Sequence, residues 1–205
     1  MFDRLTPDGL NKSVNRLRNE PAIAIDCLSD QECQSLTRMV DGLNFRSAMP
    51  VTGSKQHPVY QDFELDYCIP AKHALWQIPD YLGSRISSVL PDVRSVSASE
   101  AHRFRFNDLI VQRYPSGCQG ISPHRDRADY RLVIAILLLS GDGHFRIHCD
   151  RDKDQGQVIP FIKGQLLLMG APGLSADFVR PFHSVREVSV TRRTIGMRFD
   201  RALLA

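Results

Sequence analysis

A histidine and an aspartate stand two residues apart in His124-Arg125-Asp126, and 59 residues later (183 minus 124) comes His183. Two imidazoles and one carboxylate are the ligand set of the facial triad, which holds non-haem Fe(II) and leaves other coordination positions open. A β-strand carries residues i and i+2 on one face, so His124 and Asp126 at a strand end can both turn to one metal while Arg125 turns away. The mixed nitrogen and oxygen donors suit Fe(II), Mn(II) or Zn(II), and none is soft enough to select copper. Each part also has a plainer reading. Ser122-Pro123 and Arg125 are loop-forming residues that fit a surface turn, and a single histidine between Phe182 and Val185 fits a satisfied core position.

Nine residues beyond His183 (192 minus 183) begins Arg192-Arg193-Thr194-Ile195-Gly196-Met197-Arg198-Phe199. As a strand it sorts Arg193, Ile195, Met197 and Phe199 to one face and Arg192, Thr194, Gly196 and Arg198 to the other. An exposed edge strand would turn that polar face to water. The competing arrangement turns it into a barrel interior, where Arg192 and Thr194 would bind a carboxylate by charge-assisted hydrogen bonds and Gly196 would leave room. Arg192 is then the expected cation, because Arg193 belongs with the apolar face.

The elements that must position these groups fall into two halves. Over residues 1–95 the signals are mainly helical. Ser29-Asp30-Gln31-Glu32 has the capping-box form, and Leu36, Met39, Val40 and Leu43 follow it at the spacing of one buried helical stripe. Ala22–Asp26 reads as a short strand and Pro79–Leu90 as a second helix. Residues 44–69 are polar and turn-rich with no period, the profile of a long loop suited to act as a lid. Residues 96–205 read as strands. His102–Phe106 is expected to turn at Asn107-Asp108 into Leu109–Tyr114. The apolar Leu132–Leu139 is expected as a buried central strand, with Ser140-Gly141-Asp142-Gly143 as a hairpin into His144–Cys149. Gln165–Met169, Phe182–Val190 and Thr194–Phe199 complete the set. Strands separated by turns, behind N-terminal helices, predict a mainly β chain of the α+β kind built on a sandwich or jelly roll.

At 205 residues, with 42% hydrophobic and 24% charged residues, the chain suits a single globular domain. A net charge of +3 permits a nucleic-acid partner but falls short of a clustered basic footprint. Five cysteines without a CxxC pair point to reduced thiols. The first residues lack the apolar core of a signal peptide, and the longest apolar run is too short to span a bilayer. A cytoplasmic location without a membrane partner is expected.

Together the motif residues resemble the iron(II)- and 2-oxoglutarate-dependent dioxygenases. That family's pattern is HxD, a distal histidine, then an arginine with Ser/Thr two residues on, all carried by a double-stranded β-helix (a cupin-like jelly roll). The resemblance implies a jelly-roll catalytic core over 96–205, with Fe(II) held by His124, Asp126 and His183. It implies 2-oxoglutarate as cosubstrate, its far carboxylate on Arg192 and Thr194, with Tyr114, Arg198 and Gln112 as further contacts. With O2 as oxidant, a C–H bond of a small organic molecule or peptide side chain would be hydroxylated while 2-oxoglutarate becomes succinate and CO2. Arg125 and Arg127, beside the metal pair, are expected to meet an anionic substrate.

Two branches of that family share features with the chain. Arg192 through Arg198 resembles the R-x5-R of AlkB-type nucleic-acid dealkylases. Gln112-Arg113-Tyr114 resembles their N-x-Y with glutamine for asparagine, and Gly164–Gly170 their G-D-x-x-x-x with Gln165 for aspartate. The short spacing from His183 to Arg192 is instead similar to prolyl hydroxylases. A small-molecule or peptide substrate is favoured, and oxidative demethylation of alkylated nucleobases is the alternative. A non-catalytic jelly-roll binding or sensor domain is the second alternative. His144 and His148 read as ordinary strand-face histidines and Trp76 as a residue packing a helix on the sheet. The run Asp150-Arg151-Asp152-Lys153-Asp154 lacks the glycine and glutamate of a calcium loop and reads as a solvated loop.

Overall fold

The structure, a computed structural model, describes residues 1–93, 95–151 and 156–204; most of the acidic run just named, residues 152–154, lies outside that description. The strands are β1 (Ala22–Asp26), β2 (Arg46–Ser47), β3 (Val51–Gly53), β4 (Pro58–Asp62), β5 (Glu64–Asp66), β6 (Asp108–Tyr114) and β7 (Gly120–His124). They continue with β8 (Tyr130–Ser140), β9 (His144–His148), β10 (Gln157–Ile159), β11 (Gln165–Gly170), β12 (Phe182–Arg186) and β13 (Arg192–Asp200). The α-helices are α1 (Pro7–Arg16), α2 (Asp30–Asp41), α3 (Gln77–Val89) and α4 (Ala98–Arg103).

A seven-stranded sheet in the order β1-β11-β8-β13-β6-β5-β2 faces a six-stranded sheet in the order β10-β9-β12-β7-β4-β3. From β6 onward the chain crosses between them. β6, β8, β11 and β13 lie in the larger sheet, and β7, β9 and β12 in the smaller. That winding is the double-stranded β-helix, and it brings β7 and β12 of one layer opposite β13 of the other.

Period-two alternation decides what each face of the larger sheet does. Ile195, Met197 and Phe199 of β13, with Val133, Ala135 and Leu137 of β8, join the core formed with Val14 of α1, Leu36 of α2 and Ile86 of α3. The opposite faces send Ile110, Ile134 and Leu138 inward, to pack between the sheets with Phe145 and Val185. At roughly 1.5–3 kcal/mol for each aliphatic side chain taken out of water, the helices hold one face of the larger sheet firmly. The other face is left to line an interior.

The capping box is present. The Ser29 hydroxyl accepts from the Glu32 N–H, and the Glu32 carboxylate accepts from the Ser29 N–H at 2.8 Å. Helix α1 was not among the sequence expectations, although Thr6 caps it and Pro7 fills its first turn, where the missing N–H costs nothing.

Four expectations are corrected. His102–Phe106 is not a strand. Ser97 accepts from the Glu100 N–H at 3.2 Å and starts α4 through Arg103, while Phe104 and Phe106 pack edge-on in the core. Strand β6 pairs with β13 and β5 instead. Residues 140–143 do not make a hairpin, because β8 and β9 belong to different sheets. They form a corner, in which Gly141 has φ +82° and a Cβ there would lie 2.3 Å from the Thr191 carbonyl oxygen. Residues 44–69 are not a long loop. They hold β2 to β5, which extend the edges of both sheets. Strand β12 also ends at Arg186, before the expected Val190, where Glu187 turns to φ +59°. Among the described residues no helix is long and apolar enough to cross a membrane.

Candidate active site

His124 ends β7, Asp126 lies two residues beyond, and His183 faces His124 across the β7–β12 ladder. The ladder is irregular there. Between the His183–His124 and Val185–Ile121 pairs, β7 spends one residue more than β12. Such a bulge re-aims side chains, and Pro123, which has no N–H to pair, sits inside it. Gly120 permits the close packing. Its φ is +75°, and a Cβ would stand 2.0 Å from the Val185 carbonyl oxygen.

One ligand atom from each of His124, Asp126 and His183 lies within 4.8 Å of the others. The two imidazole centroids are 4.2 Å apart, and His183 Nε2 is 3.6 Å from Asp126 Oδ2. Each ring places Nδ1 against a carbonyl two residues back, His124 at 3.0 Å from Ser122 O and His183 at 3.5 Å from Pro181 O. A carbonyl can only accept, so Nδ1 carries the proton in both rings and Nε2 keeps its lone pair for a metal. Burial, and then the charge His183 would carry, push His124 down to about 3, and burial also lowers His183. Burial opposes ionisation of Asp126, but His183, Arg198, His124 and Arg180 together hold its carboxyl below the usual range. At neutral pH the site therefore presents two neutral imidazoles and a carboxylate, the ionisation state that binds a divalent metal.

Across the interior, Arg192, Thr194 and Arg198 descend from β13 and Gln112 and Tyr114 from its neighbour β6. All five line one cavity with the three metal-ligand candidates, together with Ile121, Ile136, Phe145 and Val185. Strand β13 is thus interior to its sheet, and the exposed-edge reading is wrong. Arg193 points outward to Asp41 at 2.6 Å, which settles which of the paired arginines faces the cavity. Arg192 is 1% exposed, lies over the Phe161 ring, and donates through Nη1 to the carbonyls of Asp142 and Gly143 at 3.2 and 3.3 Å. Its Nε has no partner, nor do Nε and Nη1 of the buried Arg198. Among the described residues no carboxylate lies within ion-pair distance of either guanidinium. At Arg198, however, burial is outweighed by Tyr67, Asp126, Tyr130 and Asp108, which raise its pKa. Burial depresses Arg192 to about 10. Gly196 makes room for Arg198 rather than for a ligand, since a Cβ there would meet its Nη1 at 3.1 Å.

Thr194 donates to Gln112 Oε1 at 3.5 Å, and Tyr114 stacks on Phe63 with its hydroxyl pKa raised by burial. The two arginines expected at the substrate part company. Arg125 is exposed with its guanidinium 4.1 Å from the Phe182 ring centroid. Arg127 is engaged by Asp129 at 3.2 Å and by the buried Asp200 at 3.3 Å, which removes it as a free cation. His144 pairs with Glu187, His148 meets Ser184, and neither lines the cavity. Gln165 ties Ile162 to Asp26, away from the site. The sequence reading missed Arg180, whose Nη1 donates to the Asp126 carbonyl at 2.5 Å from a coil with no periodic signal.

The residues present fit an iron ion and a dicarboxylate. The donor set is that of the facial triad, and the unpartnered guanidinium nitrogens are what an anion would satisfy.

Solved structures share this fold. A prolyl-4-hydroxylase from Pseudomonas putida matches with a TM-score of 0.64 at 16% identity, over 94% of this chain and 98% of that one. A prolyl hydroxylase from Trichoplax adhaerens, in complex with a hypoxia inducible factor oxygen degradation domain peptide fragment, matches at 0.62 and 18% identity, over 97% and 94%. The viral collagen prolyl hydroxylase of Paramecium Bursaria Chlorella virus-1, as a 2OG complex, matches at 0.61 and 18% identity, over 89% and 97%. No protein-family model and no curated protein matches the chain in sequence.

Proposed function

We propose that this chain is an Fe(II)- and 2-oxoglutarate-dependent oxygenase that hydroxylates a C–H bond of a peptide side chain or small organic molecule. One observation carries the reading. The buried Arg192 guanidinium, which has no carboxylate partner among the described residues, shares a cavity with a His-Asp-His triad. A buried cation left unpaired is costly, and a chain that keeps one beside a metal-ligand set is built for an anion that arrives with the metal. The peptide-bound and 2OG-bound states of the structurally similar hydroxylases support the choice of substrate class and cosubstrate.

His124, Asp126 and His183 would hold the iron, and Arg192 and Thr194 the far carboxylate of 2-oxoglutarate. Bound iron would supply activation of O2, with 2-oxoglutarate giving the electrons as it loses CO2 to become succinate. The protein's own residues bind, orient and exclude water. Ile121, Ile136, Phe145 and Val185 make an apolar lining that keeps water from the reacting centre. Tyr114 stays protonated and can donate to the cosubstrate. We assign the chemistry to residues 96–205, with the N-terminal helices as a buttress to the larger sheet.

The test is oxygen-dependent conversion of 2-oxoglutarate to succinate by iron-loaded protein. Turnover that is abolished in His124→Ala is expected. Absence of turnover across peptide, small-molecule and methylated-oligonucleotide substrates would leave a binding module instead. The Arg192 and Arg198 pair in one cavity keeps nucleobase demethylation as the second reading, and stimulation by the methylated oligonucleotides alone would select it.

A further inference from the structure

Several arginines of this chain are matched with acids. Arg113 pairs with Glu64, Arg131 with Glu100, Arg146 with Glu187, Arg193 with Asp41, and Arg127 with Asp129 and Asp200. Three arginines gathered around the metal-ligand candidates have no such ion pair among the described residues. Arg125 stands between His124 and Asp126, and its guanidinium lies 4.1 Å from the centroid of Phe182, the residue before His183. Arg151 reaches the same ring at 5.3 Å and donates to the carbonyls of Pro58 and Pro123 at 3.3 and 3.4 Å. Arg180 donates to the Asp126 carbonyl and lines a small cleft with Ile134 and Met169. No carboxylate of the described residues pairs with any of the three.

These cations lie on both sides of the ligand group. Arg151 and Arg125 border the smaller sheet, at Pro58 of β4 and Phe182 of β12. Arg180 borders the larger, beside β8 and β11. We propose that the mouth of the metal site binds an acidic peptide, whose carboxylates on either side of the oxidised residue engage Arg125 and Arg151 on one flank and Arg180 on the other. This rests on reading the metal site as a catalytic centre. A small monocarboxylate could satisfy one flank only, whereas an extended chain reaches both. Nucleic acid is less well served. Its single-stranded bases need free aromatic faces, and the Phe182 ring already carries two guanidiniums. The chain's net charge of +3 also leaves no broad basic footprint beyond the mouth.

The experiment measures fluorescence anisotropy of labelled probes on protein loaded with Mn(II) and 2-oxoglutarate. The probes are a short Glu-Ala repeat peptide, its Gln-Ala and Lys-Ala counterparts, and a thymidine oligonucleotide. The Glu peptide is expected to bind about tenfold or more tightly than the Gln peptide, and to weaken as salt rises. Arg125→Gln and Arg151→Gln should each lose about three- to tenfold of that binding, and Arg127→Gln should lose none. Equal binding of the Glu and Gln peptides overturns the proposal. So does a loss in Arg127→Gln as large as in the other two, or tighter binding of the oligonucleotide than of the Glu peptide. Because binding requires no turnover, an acidic preference without succinate formation sinks the oxygenase reading alone. Succinate formation without that preference sinks this one alone.

Discussion

Replacing Arg192 with methionine separates a cosubstrate-binding cation from a structural one. Burial holds the Arg192 guanidinium down at about 10, which at about 1.4 kcal/mol per tenfold in proton affinity disfavours its charge by about 3 kcal/mol. Against that stand two hydrogen bonds to the carbonyls of Asp142 and Gly143, whose loss costs about 1–3 kcal/mol if the oxygens go unpaired. The two effects oppose each other. Arg192→Met is therefore expected to change the stability of the metal-free protein by no more than about 2 kcal/mol in denaturant unfolding. Its effect on cosubstrate is larger. A carboxylate that loses a buried, charge-assisted partner gives up about 2–5 kcal/mol, so 2-oxoglutarate affinity should fall by about thirtyfold or more. Calorimetric titration of the Mn(II)-loaded protein reads the affinity without turnover. Unchanged 2-oxoglutarate affinity, together with a stability loss of about 3 kcal/mol or more, would refute the assignment and make Arg192 a structural residue.

Asp126→Ala should reduce divalent-metal affinity by about a hundredfold or more while the fold persists, read by Mn(II) titration and circular dichroism. In the metal-free protein, His124 is depressed to about 3 and His183 is also lowered. The unfolded chain then takes up protons below about pH 6.5 that the folded chain refuses, so stability is full above that pH and falls as pH drops toward 3. Denaturant midpoints across that window check the sign, and a midpoint that rises on acidification would contradict it. Gly120→Ala must place a Cβ 2.0 Å from the Val185 oxygen at φ +75°. A loss of about 3 kcal/mol or more, and weaker metal binding from a disturbed bulge, are expected by thermal unfolding and metal titration.

What could be read from sequence was what local periodicity carries. The i, i+2 rule was enough to put Arg192, Thr194 and Arg198 on one face of a strand and Arg193 on the other. The capping box, the buried stripe of α2 and the apolar run of β8 were legible for the same reason. Long-range contacts were not. Nothing near Arg127 in the chain announces the buried Asp200 that neutralises it, and nothing near Arg180 announces its bond to Asp126. Strands β2 to β5 escaped because short edge strands are held by backbone pairing and leave little side-chain pattern. The corner at Gly141 looked like a hairpin because both need glycine at positive φ. What distinguishes them is that β8 and β9 belong to different sheets, with Thr191 closing on the corner. The start of α4 was visible in Ser97-Ala98-Ser99-Glu100, but the alternation of Phe104 and Phe106 pointed to a strand.

The central claim is that two sets of residues, one on each sheet, converge on one metal and one dicarboxylate. An anaerobic crystal structure of the protein with Fe(II) and 2-oxoglutarate tests it most directly. The account predicts iron bound by His124 Nε2, His183 Nε2 and an Asp126 oxygen at about 2.0–2.2 Å, with the far carboxylate of 2-oxoglutarate on Arg192 and Thr194. Iron held elsewhere, or a cosubstrate that leaves Arg192 unpartnered, would contradict it.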